Sequence, residues 1–479
     1  MAAGRDGSGR LTENKPSKGG FDDLDDSLFL SKEQLVEWIK TVVAQGIRRP
    51  GYPADKWAEE WIAETFHELG LSSVKFEPVP LPSWRPKSAS LRVWREGAED
   101  SGIELEGSAL PYTTPTKGVI ARLAKLGDPA AAGCIVVDEL ALQQIPQALI
   151  RMIATDAFDP DGEFSSLVQT LPLGPRSVEV AEPAIEAGAV GFVGALTGMP
   201  WETRDYYLPY DAKIRPIPGV WVSPGDSARM LAMLNEGPCL AELRLDAEVK
   251  QTTDHNVVAH LPGASEHTVI VASHHDGPWA SAVEDGTGIV MVLAVAGYFA
   301  NLPVAKRPHN LVFLLTAGHM AGASGTRAFI EAHRDLLAKT VLEIHLEHAA
   351  LRCEPVDGKL VPTKDPEVRW WFTTQAPELE KVVIDAITAE GLRRSLVLKP
   401  DVFSPMPPTD GAFFHPEGLP LVNLLSAPMY LFDSCDTLDK VDQEALVPLA
   451  KAAVRIINGV AGLDPSSLRK KNLGDTAKM

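Results

Sequence analysis

Five of the twelve histidines in this 479-residue chain fall in three short segments, each at the end of an apolar run. HTVIVAS runs into His274-His275-Asp276, and Glu284-Asp285 follows just ahead of a Gly-Thr-Gly helix start. HNLVFLLT runs into Gly318-His319-Met320, and TVLEI runs into His345-Leu346-Glu347-His348. Imidazole and carboxylate groups at neighbouring strand ends can converge on one borderline divalent cation such as zinc. A cation held by a few such groups, with a position left open, polarises a carbonyl and acidifies bound water. His319, with an ordinary pKa of about 6.5, can take or give a proton beside it. The competing reading for any single histidine is a polar group satisfying a loop network. Five gathered in three segments favour the metal.

Holding such groups requires a rigid edge. The three apolar runs alternate with helical stretches, GTGIVMVLAVAGYFA and SGTRAFIEAHRDLLA among them. Continuous apolar strands alternating with helices predict a mostly parallel, mixed sheet sandwiched by helices, an α/β fold with its chemistry at the strand C-termini. Ahead of it, Ser31 caps an amphipathic stretch with Gln34 three residues on, and Asp55 to Leu69 repeats the pattern before Gly70, predicting two helices. Between 116 and 250 the texture changes to short β-like runs (KGVIARL, GCIVVD, GAVGFVGAL, PGVWVS) broken by Gly and Pro, with helical stretches at 180–187 and 226–235. These predict an inserted, smaller α/β module. The organisation expected is a tail over 1–27, a main domain from 28–115 and 251–465, the insertion over 116–250, and a polar tail over 466–479.

The chain is 45% hydrophobic and 23% charged, ordinary globular values that exclude a disordered or coiled-coil protein. A net charge of −19 repels phosphate, which argues against nucleic acid or an anionic membrane and for a small-molecule or short peptide-like substrate. Cys134, Cys239, Cys353 and Cys435 show no CxxC spacing and are expected as free thiols. The N-terminal stretch has no apolar h-region and no uninterrupted apolar run of about 18 residues suggests a span, so the expected location is cytoplasmic. A homo-oligomer is compatible with the sequence.

The segment HTVIVASHHDGPWASAVEDGTGIVMVLAVA resembles the metal-binding core of the di-zinc aminopeptidase and glutamate carboxypeptidase family of metallopeptidases. HNLVFLLTAGHMAGASGTRAF resembles that family's strand leading to a Glu-Glu pair, TVLEIHLEH its next ligand strand, and PTDGAFFHPEGLPLVNLLSAPMYLFDSCDTLDKVD its C-terminal ligand region. The pieces EAGAVGFVGA and IPGVWVSPGD make 116–250 similar to the protease-associated domain that many members insert. The resemblance implies His274 as a metal ligand, Asp276 as the carboxylate that orients it, Glu284 in place of the bridging aspartate, and Glu347 in place of an aspartate ligand of the same metal. A gapless alignment places His319 where the family has its general-base glutamate and Met320 where it has a glutamate ligand of the second metal. That metal's histidine falls on Phe432. An alignment with one inserted residue instead places His319 on the lost ligand and Gly318 on the base. Losses sorted in this way imply one divalent metal kept, zinc first and Fe, Mn or Co as alternatives, and one discarded.

The function so implied is a metal-dependent hydrolase of peptidase-like fold with an atypical, mononuclear site, cleaving an amide or related C–N bond in a small substrate. His319 would be the acid/base or an extra ligand. A non-catalytic binding or scaffold relative, or a metal-dependent lyase on the same fold, are the alternatives. His275, Asp285, His348, Asp410, His415, Tyr430 and Asp433 are candidates for substrate binding, each weighed against ordinary hydrogen bonding. Gly411 replaces the histidine of the family's Ser-Asp-His segment, and Trp370-Trp371 and Phe413-Phe414 are expected in the core.

Overall fold

The computed structural model describes residues 24–174 and 179–469. The expected tails over 1–27 and 466–479 lie largely outside them. Ser31 caps the first helix, Lys32–Val43, its Oγ accepting from the Gln34 amide at 3.2 Å, and Pro53–Glu68 forms the second. The larger sheet runs in the order Cys239–Leu261, Asn310–Thr316, Thr268–His274, Thr340–Leu346, Leu421–Ser426, Arg369–Thr373, Ser395–Leu398, Asp156–Phe158. Its four central strands are parallel, with Thr268 paired to Asn310 and His274 to Thr316, while the flanking pairings are mixed.

Both faces of the sheet are covered, which is why its central strands read as unbroken apolar runs. Every residue of Thr268–His274 and Thr340–Leu346 is buried. Val269 and Val271 face the large core with helix Gly288–Ala300, whereas Ile270 and Ala272 face Phe329 and Ile330 of helix Ser324–Ala332. The alternation is the two-residue period of a strand. One stretch, Ala282–Ala300, has the length and mean hydropathy to cross a membrane even though Glu284 and Asp285 interrupt its apolar run, and it is wholly buried inside the protein. A helix sheathed by sheet on one side and by Lys32–Val43 and Leu446–Val460 on the other must be apolar all round.

Two strands of 23 residues, Ser73–Arg95 and Cys239–Leu261, pair antiparallel from Ser73↔His260 to Arg95↔Cys239 and run from the larger sheet into a smaller one. There Thr116–Lys125, Ile135–Ala141, Gly191–Gly198 and Gly219–Val222 lie parallel, closed by Ile103–Ala109. This unit has its own core of Leu123, Ile135, Val137, Val193, Val220 and Met230. Between two of its strands the chain makes an excursion whose strand Asp156–Phe158 joins the edge of the larger sheet. The excursion brings 143–174 beside the C-terminal ends of the parallel strands.

Candidate active site

His274 closes its strand with its side chain fully buried. Its Nδ1 donates to the backbone carbonyl of Asp276 at 2.9 Å, which fixes the tautomer and turns the Nε2 lone pair inward. His348 follows the next strand at φ 61, a left-handed conformation uncommon for a side-chain-bearing residue, and its Nδ1 donates to the Ser426 carbonyl at 2.7 Å. Its Nε2 therefore also presents a lone pair. Both point at Glu284: His348 Nε2 lies 2.5 Å from Oε2 and His274 Nε2 lies 3.5 Å from Oε1. Neither nitrogen and neither oxygen has a hydrogen-bond partner, although all are buried. The three side chains offer one donor atom each within 4.8 Å of one another.

Buried acceptors without donors are costly, and a divalent cation satisfies all of them at once. Two imidazoles and a carboxylate suit zinc and the other borderline metals, so the residues fit the ion that the sequence implies. Asp436 holds the loop that carries the carboxylate, accepting from the amides of Val283 at 2.9 Å and Glu284 at 2.9 Å. Burial opposes charge on His348, but Glu284 outweighs it and raises the imidazole to about 10. The proton occupies the place a cation would take, and the two compete. Burial and the neighbouring His319 hold His274 down at about 3, leaving its lone pair available.

His319 stacks on His274, ring centroids 4.1 Å apart. Asp276 accepts from the amides of His319 at 3.0 Å and Met320 at 2.7 Å, so it anchors the loop bearing His319. The ring sits between two carboxylates, Nδ1 3.3 Å from Asp410 Oδ1 and Nε2 3.7 Å from Glu284 Oε1. Burial lowers its pKa, but Asp410, Glu284 and Glu347 outweigh that and raise it to about 9. Asp410 is itself steadied by the hydroxyls of Thr316 at 2.6 Å and Thr326. Met320 is fully buried and its carbonyl accepts from Tyr112 at 2.7 Å.

Glu347 stands beside the cluster, Oε1 2.8 Å from His345 Nε2 and accepting from the Asp410 amide at 3.1 Å. His345 has Glu343 at 3.3 Å on its other nitrogen, and with a carboxylate at each end it is held protonated, well above its ordinary value. Burial alone would raise Glu347, but His345 brings it down to about 2. Gly411 makes room for this arrangement: a Cβ there would lie 2.9 Å from the His345 Cβ and Cγ.

The sequence candidates separate into two groups. Glu284, His319, Glu347 and His348 line one cavity, and Asp410 reaches it through His319. The others do not line that cavity. His275 turns away, Nδ1 to Asp55 at 2.8 Å and Nε2 to the His255 carbonyl at 3.0 Å. Asp285 takes the Ser273 hydroxyl and the Gly288 amide. The Tyr430 hydroxyl donates towards the carbonyls of Leu351 and Lys440, and Asp433 accepts from Thr203, Trp201 and the Cys435 amide. His415 is buried behind the turn Asp410–Phe414. In each case an internal partner occupies the group that was expected to face substrate. The tight trio contains His348 where Glu347 was expected. Tyr210 of the inserted unit was not anticipated: its ring lies 5.3 Å from both His319 and Phe432. Only its place in space, not any pattern in YYLPYD, connects it to the site.

Residues 256–457 match the family model described as peptidase family M28. Among solved structures, the chain is similar to a peptidase M28 precursor from Shewanella amazonensis SB2B, with 21% identity, 90% of this chain and 95% of that one covered, and a TM-score of 0.67. It is similar to BSAP, a zinc aminopeptidase from Bacillus subtilis, with 17% identity, 89% and 95% covered, and a TM-score of 0.63. An aminopeptidase from Aneurinibacillus sp. strain AM-1 follows at 19% identity, 90% and 93% covered, and a TM-score of 0.58. No curated protein matches in sequence. At these identities the likeness is one of fold.

Proposed function

We propose that this chain, which has the metallopeptidase fold and matches peptidase family M28 over 256–457, is a hydrolase using a single divalent metal to cleave an amide or related C–N bond in a small or short peptide-like substrate. The observation that carries the reading is the buried trio His274, Glu284 and His348, whose inward atoms have no donor among the described residues. When bound, the ion would supply Lewis-acid polarisation of a carbonyl and acidify water. The chain's own residues would do the rest. His319, with Nε2 turned towards Glu284 and held in its charged form by Asp410, Glu284 and Glu347, is placed to give a proton to the leaving nitrogen and to recover one from the attacking water. Asp410 keeps the proton on Nδ1 so that Nε2 is the working atom, and Asp276 holds the loop in register. The bond to be cut would enter from the cavity side, because the opposite side is filled by helix Gly288–Ala300.

Metal analysis of protein purified without chelator, alongside amidase assays on uncharged anilides and amides, tests the reading. About one equivalent of metal with turnover supports it. Two equivalents would show that a second ion is held, and none with no turnover would leave the fold as a binding protein.

A further inference from the structure

The cavity that opens on Glu284, His319, Glu347 and His348 has a volume of ≈ 430 Å³, within the roughly 300–1,000 Å³ of small-molecule sites. Beyond those four residues its wall is largely apolar. Leu171 and Leu173 come from the excursion of the inserted unit, and Trp370, Phe403 and Leu425 from the larger sheet and its loops. Among the described residues no lysine or arginine lines it, and its only carboxylates are Glu284 and Glu347. Neither is free for an ammonium: Glu284 is closed in by His274 and His348 and would be taken by the proposed ion, and Glu347 is held by His345 at 2.8 Å. An ammonium group entering beside a divalent ion would be repelled and would exchange its hydration for an apolar wall.

We infer that this cavity selects the uncharged, mainly apolar acyl or aryl part of a substrate with no ammonium next to the reacting carbonyl. The inference rests on the metal site proposed above. It distinguishes this protein from an enzyme that reads a free amino terminus, because the groups that could receive an ammonium are already paired.

Isothermal titration of the zinc-loaded protein with 3-(4-methoxyphenyl)propanamide and with O-methyltyrosinamide, which adds only the ammonium, tests it by binding rather than turnover. The neutral amide should bind at least about tenfold tighter. Leu171→Glu, at a half-buried excursion position, should narrow the preference. Equal affinities, or tighter binding of the ammonium compound, overturn the inference. A zinc titration of the same preparation separates the failures. One equivalent bound without selectivity overturns the cavity inference alone, and no zinc bound overturns both readings.

Discussion

Replacing His348 should cost more metal affinity than replacing Glu347, although Glu347 is the residue that a family resemblance nominates. The apparent binding energy of a four-ligand structural zinc site is about 10–16 kcal/mol. Shared among four ligands that is about 2.5–4 kcal/mol each, or roughly 10²- to 10³-fold in dissociation constant. His348 is placed as a full ligand, its Nδ1 held by Ser426 at 2.7 Å and its Nε2 2.5 Å from Glu284 Oε2. Glu347 has one oxygen committed to His345 at 2.8 Å and to the Asp410 amide at 3.1 Å. Losing it removes a neighbouring charge, an effect of about 10- to 100-fold. Competition against a chromogenic chelator at fixed pH would compare His348→Ala, Glu347→Gln and His274→Ala, with circular dichroism confirming that each is folded. His348→Ala and His274→Ala should fall together. If Glu347→Gln loses as much as His348→Ala or more, the ion sits against Glu347, and the orientation of His348 serves packing alone.

His319→Ala should keep its metal while turnover falls by roughly 10²–10⁴; a parallel loss of metal would make His319 a ligand, and near-native turnover would remove it from the mechanism. Glu367 is buried and its carboxyl is pushed up by that burial from 4.5 to about 7. The unfolded chain therefore releases the proton first, so the stabilisation is complete below pH 4.5 and is lost as pH rises through 7, a change of about 3 kcal/mol. Glu367→Gln should flatten that part of a urea-unfolding profile taken from pH 4.5 to 8, and an unchanged slope would count against it. Gly411→Ala should destabilise by about 1–3 kcal/mol, because the new methyl must displace His345; a variant as stable as the parent would show that the space is not needed.

His274, Glu284 and the α/β architecture were legible because their signals are local. A strand buried on both faces must be apolar throughout, so its polar terminus stands out, and the helices carry their own caps and periods. Met320, buried, and Phe432, in the cavity wall, stand at the two positions where the family resemblance puts ligands of a second metal, an expectation that also came from single residues. The direction of a side chain could not be read in this way. His348 and Glu347 are adjacent in sequence, and their division into donor and bystander depends on a carbonyl from a strand 78 residues away and on His345 lying between two carboxylates. His275, next to His274, is drawn off by Asp55, 220 residues distant. Tyr210 and Leu171 reach the site only because the inserted unit folds back over the strand ends. Composition and spacing determine which elements form and what chemistry their ends carry, since burial and periodicity act over a few residues. Which lone pairs converge, and what wall surrounds them, is decided by contacts between segments far apart in the chain, and no local pattern encodes those.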